Sequence, residues 1–250
     1  MKITCMTLLL ATVINLVNAQ QASFKDAQLK YERVKTAYRE KETEVHSFLS
    51  KAGISKSDAF TIFLRAFKYE KKLELWAKKK TADTFALVKT FEICSSSGEL
   101  GPKRREGDYQ VPEGFYNIFH FNPVSNFYLS LGVSYPNASD RKLGKVPLGG
   151  SIYIHGNCVT IGCIPIEDEF IKELYVACVE ARHHGQAEIQ VHIFPAHLDD
   201  TNFTYIKSLP STNEALINFW GNLKTGYEYF EKNHTLPHVS VDAKGKYLFR

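Results

Sequence analysis

Three features of the sequence predict an α+β fold with a β-rich core: a charged N-terminal stretch whose apolar residues recur at helical spacing, a long middle section of short aromatic-rich runs separated by turn residues, and a C-terminal section that returns to helical spacing before a hairpin pattern. The chain has 250 residues, 44% hydrophobic and 13% aromatic, so it can bury a sizeable core and is neither disordered nor collagen-like. A net charge of +4 without a polybasic tract argues against a nucleic-acid partner.

Residues 1–19 read as an export signal: Lys2 supplies the positive start, Met6 to Val17 is mostly apolar, and Val17-Asn18-Ala19 suits cleavage after Ala19. The run is shorter than the roughly 20 residues of a membrane-spanning helix, and no later segment is long and uncharged enough, so no membrane span is expected in the mature chain. Cys5 precedes the apolar run, which excludes a lipid-anchored cysteine after it. The expected location is the periplasm or cell envelope. The pattern then divides the chain into an N-terminal helical segment (20–56), a central domain (57–200) and a C-terminal helix and hairpin extension (201–250).

From Phe24 to Leu49, apolar residues at Phe24, Ala27, Tyr31, Val34, Tyr38, Val45 and Phe48 give one amphipathic helix, more readily packed on its own domain than on a partner. Strands are predicted at Thr61–Phe67, Lys72–Ala77 and Phe85–Ile93. A long loop, Ser95 to Glu113, carries several Gly and Pro and the charged run Lys103-Arg104-Arg105-Glu106. Loops of that length are often functional. Further strands are expected around Gly114–Phe121, Phe127–Val133 and Ile152–His155, with turns at Asn122-Pro123 and Tyr135-Pro136-Asn137. Asp168 can cap a helix with Ile171, Leu174, Tyr175 and Cys178 on one face, ending at Gly185. Glu188–Phe194 alternates as a strand with Ile189, Val191 and Ile193 inward. His183, His184 and His192 read as surface or half-buried. Ser211 and Glu214 fit a capping box for a helix bearing Leu216, Phe219, Trp220, Leu223, Tyr227 and Phe230. The tail from His238 to Phe249 reads as a hairpin turning at Ala243-Lys244-Gly245.

Four cysteines follow the signal: Cys94, Cys158, Cys163 and Cys178. Two disulfides suit an oxidising compartment, whereas catalysis would need a free thiol. Between Ser151 and Pro165 a strand delivers His155 into a loop rich in Gly and Thr that returns Cys163 eight positions later, just before a helix. An imidazole and a helix N-terminus both favour the thiolate, Gly162 would admit a carbonyl substrate, and backbone N–H groups near Cys163 could hold an oxyanion. Cys158 competes with Cys163 as the nucleophile. A zinc site from His155, Cys158 and Cys163 matches no standard ligand spacing, and neither metal nor cofactor is expected. Cys178 falls on an apolar helix face and reads as a buried thiol; Cys94 is open between burial and a disulfide.

His155-Gly156 followed by Thr160-Ile161-Gly162-Cys163 resembles the L,D-transpeptidase catalytic domain, or YkuD, family, and within it the YafK-like branch. Arg65–Lys68, Leu73–Trp76, Ser97–Arg104, Gly107-Asp108, Pro112–Tyr116, Asn122-Pro123, Tyr135–Asn137 and His192–Pro195 agree with that branch in order, so the resemblance covers roughly 60–197. It implies a β-rich YkuD-like domain over 57–200, with Cys163 as acyl-accepting nucleophile, His155 as general base, and Gly156, Thr160 and Gly162 shaping the loop. Ile161 stands where the broader family has a second His, and the loop is shorter than usual. In this family context Lys103 and Arg104 would pair with substrate carboxylates; otherwise their run is a solvated loop.

The implied activity is acyl transfer on peptidoglycan stem peptides through a thioester on Cys163. The acceptor can be a neighbouring stem, a lysine of an envelope protein such as a lipoprotein, or water. An amidase releasing an envelope protein from peptidoglycan, and a non-catalytic peptidoglycan-binding module, are the alternatives.

Overall fold

A computed structural model describes residues 23–250; the predicted export signal lies outside them. In chain order the elements are α1 (Phe24–Gln28), α2 (Glu32–Lys51), β1 (Phe60–Phe67), β2 (Lys72–Lys79), β3 (Ala86–Glu92), β4 (Gly114–Asn122), β5 (Ser130–Val133), α3 (Ala138–Leu143), β6 (Tyr153–His155), β7 (Ile164–Pro165), α4 (Glu167–His183), β8 (Ile189–Phe194), α5 (Asp200–Lys207), α6 (Glu214–Asn233), β9 (Val239–Val241) and β10 (Tyr247–Phe249). Eight strands form one mixed sheet in the order β3-β2-β1-β8-β4-β5-β6-β7, and β9 and β10 pair separately as the expected terminal hairpin. This is the α+β, β-rich architecture that the sequence predicts.

The sheet is covered on both faces, because successive residues of a strand point to opposite sides. On one face Ile62 and Leu64 of β1 and Ile189, Val191 and Ile193 of β8 join the core built on α4. On the other, Phe67, Phe115 and Phe194 pack with Trp220, Leu223 and Tyr227 of α6. His192 lies on this second face, 1% exposed, between Phe63 and Phe115. That corrects the expectation of a surface or half-buried histidine: β8 is central, and the alternation of Ile189, Val191 and Ile193 describes only one of its two buried sides. Burial drives the His192 imidazole down to about 3, so it is neutral.

The helix ends depart from the local sequence signals in three places. The single N-terminal helix is broken: Tyr31 is extended (φ −94°, ψ 131°) and starts α2, so α1 can turn to pack Phe24 edge-on against Phe121 with centroids 5.0 Å apart. Asp168 does not cap α4; it is the second residue of that helix and spends its carboxylate elsewhere. The cap of α6 is Asn213, whose side chain accepts from the Leu216 amide, not Ser211. Helix α5 carries its own Asp199 cap. No helix among the described residues is long and apolar enough to cross a membrane.

The C-terminal helix is tied to the long loop between β3 and β4 through one buried carboxylate. Glu113, fully buried, pairs with Lys68 Nζ at 2.9 Å and accepts from the Gly101 amide at 2.7 Å and from Trp220 Nε1 at 2.8 Å. Removing one member of a buried ion pair strands the other charge, so Glu113→Ala is expected to cost about 3–5 kcal/mol. A chemical-denaturation midpoint matching wild type would contradict this.

Candidate active site

Strands β6 and β7 pair in parallel, Ile154 with Ile164 and His155 with Pro165. Ile154 and Ile164 are buried in the core. Alternation places His155 on the opposite face of β6 from Ile154, and the register extended by one residue carries Cys163, just before β7, alongside Tyr153. His155 and Cys163, eight residues apart in sequence, thus lie on adjacent chain segments at the sheet edge.

The imidazole is held in one tautomer. His155 Nδ1 lies 2.5 Å from the carbonyl oxygen of Gly156. A carbonyl can only accept, so Nδ1 carries the hydrogen and Nε2 keeps the lone pair a base requires. Phe127 stacks on the ring, centroids 4.5 Å apart. Burial pushes His155 below its ordinary value, against the Gly156 carbonyl, which favours the protonated ring. At neutral pH the imidazole is uncharged.

Cys163 is a free, half-buried thiol whose Sγ donates to the Ser151 carbonyl at 3.5 Å. Burial pushes it above its ordinary value, while the main-chain N–H of Tyr153 and the charge of Lys103 pull the other way. At rest the two groups are thus a thiol and a neutral imidazole. Iodoacetamide labelling of Cys163, followed by peptide mass, is expected to accelerate only above the ordinary thiol value of 9.0. A midpoint at about pH 7 would show a preformed thiolate.

The loop joining the two residues is shaped by local chemistry. Thr160 Oγ1 accepts from the amides of Gly162 and Cys163 at 3.1 and 2.8 Å and donates to the Cys163 carbonyl at 2.8 Å. Those two N–H groups, expected to stand ready for an oxyanion, are occupied by the threonine. Gly162 has φ +132°, a region that favours glycine. At Gly156 a Cβ would come 2.4 Å from Asp168 Oδ1 and 2.9 Å from the Phe127 carbonyl oxygen. The Asp168 oxygen accepts from the Asn157 amide at 2.8 Å, anchoring the loop to the start of α4. Ser151, Asn157 and Glu167 all have positive φ (58°, 63° and 65°). Such strain in non-glycine residues gathers at functional sites.

Cys158, the competing nucleophile, is bonded to Cys94, their Cα atoms 5.6 Å apart, and Cys178 is fully buried in α4. Lys103 is nearly buried, with Nζ on Asp108 Oδ1 at 2.6 Å and on the Arg105 carbonyl at 2.9 Å. Arg104 pairs with Asp140 at 3.0 Å and lies over the Phe219 ring. Burial raises Asp140 to about 6, against the pull of the Asn137 amide, Tyr116 and Arg104. Both basic side chains are therefore engaged within the chain, Lys103 within electrostatic reach of Cys163.

Sequence reasoning gave no site role to Ser151, Phe127 or Asp168, nor to Lys68, Ser95 and Ser96, which line a narrow crevice with Cys163. Two of them left a trace, Asp168 as a helix-cap candidate and Lys68 as the end of the Arg65–Lys68 stretch.

Residues 68–193 match the family profile of the YkuD L,D-transpeptidase catalytic domain. The chain is 36% identical over 189 residues to "Putative L,D-transpeptidase YafK" of Escherichia coli (strain K12), covering 75% of this chain and 73% of that protein. Among solved structures, the helical cell shape determining protein Pgp2 from Campylobacter jejuni aligns with a TM-score of 0.44 and 18% identity, covering 78% of this chain and 80% of that one. Bdellovibrio bacteriovorus Bd1075 aligns with a TM-score of 0.39 and 21% identity, covering 60% and 54%. By the extent of the profile match and by its identity to YafK, the chain belongs to the L,D-transpeptidase catalytic domain (YkuD) family.

Proposed function

We propose that the protein is an envelope acyl-transfer enzyme acting on peptidoglycan stem peptides, with Cys163 as nucleophile and His155 as general base. The observation that carries this reading is the His155 Nδ1 contact to the Gly156 carbonyl, which leaves Nε2 unprotonated on the strand next to the segment that carries the free thiol. In the proposed reaction Sγ attacks the carbonyl at the L-centre of the third stem residue as Nε2 takes the thiol proton. That proton then passes to the leaving amine, D-alanine departs, and a thioester remains on Cys163. An incoming amine attacks the thioester, His155 receives its proton, and the thiol is released.

The acceptor decides the product. A neighbouring stem gives a 3→3 cross-link, a lysine of an envelope protein such as a lipoprotein gives an anchored protein, and water gives a tripeptide stem. Incubation with a purified disaccharide tetrapeptide, read by mass spectrometry, tests the reading: release of D-alanine with a cross-linked dimer or tripeptide product supports it. An unchanged tetrapeptide, alone and with a lysine-bearing acceptor present, would contradict it and leave the amidase and the binding module as the readings.

A further inference from the structure

The loop from His155 to Cys163 is hydrogen-bonded at its first residues and only lightly held beyond them. On one side the Gly156 amide donates to the Phe127 carbonyl at 3.1 Å, and the Asn157 amide to Asp168. On the other, β7 is only two residues long and lies at the sheet edge, paired with β6 alone. Between them Val159 is 54% exposed and Ile161 75% exposed, so neither anchors the tip by packing. The covalent tether is Cys158, bonded to Cys94 across a sequence separation of 64.

Cys94 is equally well placed. It directly follows Ile93 and precedes Ser95 and Ser96, all three on the wall of the crevice that contains Cys163. Its amide donates to the Pro165 carbonyl at 3.0 Å, so this wall runs beside the segment that follows the nucleophile. Cys94 Sγ also lies 3.6 Å from the Asn157 carbonyl oxygen. One bond thus fastens the loop carrying the thiol to the wall facing it.

We propose that Cys94 and Cys158 are positioning residues whose disulfide sets the reactivity of Cys163, so that activity is conditional on an oxidised pair. The inference rests on the acyl-transfer reading for its effect on turnover, but not for its effect on the thiol. Small misplacements of a reacting group cost roughly a hundredfold in rate. Breaking the bond frees the tip, admits water to Cys163 and relieves the burial that holds its thiol un-ionised.

The test compares oxidised wild type, wild type reduced by a water-soluble phosphine, and the Cys94→Ala/Cys158→Ala double variant. In the reduction, phosphorus attacks one sulfur, the bond opens, water supplies oxygen to phosphorus, and two thiols and a phosphine oxide result. Turnover of the disaccharide tetrapeptide is expected to fall roughly ten- to a hundredfold in both altered forms, in kcat more than KM. Iodoacetamide labelling of Cys163 at neutral pH is expected to rise severalfold, with Cys178 in α4 still protected. Reoxidation of the wild type should reverse both changes.

Labelling and turnover unchanged in the two altered forms would overturn the proposal. So would Cys178 labelling as fast as Cys163, which would assign the effect to general unfolding. If the double variant melts below the assay temperature, the reversibly reduced wild type decides. If oxidised wild type turns over no stem peptide, the functional reading fails, and the labelling contrast still decides this inference.

Discussion

Replacing Cys163 with alanine is expected to abolish turnover, lowering kcat by a factor on the order of 10⁴ or more, since loss of a covalent nucleophile leaves only binding and electrostatic stabilisation. The fold should survive. Cys163 is half-buried at a sheet edge, and its Sγ makes one weak bond, to the Ser151 carbonyl. Thermal melts and substrate kinetics on the same preparation separate the two effects. Retained turnover in this variant would remove Cys163 from the chemistry altogether, because Cys158 is committed to Cys94 and Cys178 is fully buried.

The second large effect is expected at His155. Loss of a general base commonly costs about 10²–10⁴-fold, and His155→Ala should lower kcat/KM within that range. The pH profile adds a sharper criterion. The imidazole sits below its ordinary value of 6.5 through burial, so it is neutral at pH 7 and becomes cationic only as pH falls through its depressed value. A cationic ring cannot take the thiol proton, so wild-type kcat/KM should hold down to about pH 6.5 and be lost at lower pH. The variant should lack that acid limb. Finding the same limb in His155→Ala would assign it to another group.

Much of the fold was legible because its signals are local. The β1–β2–β3 meander follows from aromatic and aliphatic runs broken by charged turns, and the terminal hairpin from Asp242 to Lys246 announces itself by its glycine. What escaped depends on tertiary partners. Asp168 resembles a cap, yet its carboxylate goes to Asn157, in the loop between His155 and Cys163. Ser211 and Asn213 are both of residue types that cap helices, and α6 starts directly after Asn213. The break at Tyr31 has no glycine or proline to mark it and follows from how α1 meets Phe121.

The candidate site divides in the same way. That the strand of His155 and the segment of Cys163 are neighbours was legible because only a short loop joins them. The pairing of Cys94 with Cys158 was not, since spacing cannot distinguish among the pairings four cysteines allow. The basic run 103–105 shows a further limit: its Lys103 and Arg104 have acceptors in Asp108 and Asp140, and sequence carries no mark of which carboxylate a loop lysine or arginine will reach.

The central claim is covalent: the stem-peptide acyl group passes through Cys163. Rapid acid quench of the enzyme with a disaccharide tetrapeptide, followed by intact mass and peptide mapping, tests it most directly. The account predicts an adduct equal to the substrate less D-alanine, labile to hydroxylamine as a thioester is, mapping to Cys163 and absent from Cys163→Ala. An adduct on another residue, or product formed with no adduct at any quench time in wild type and in His155→Ala alike, would contradict it.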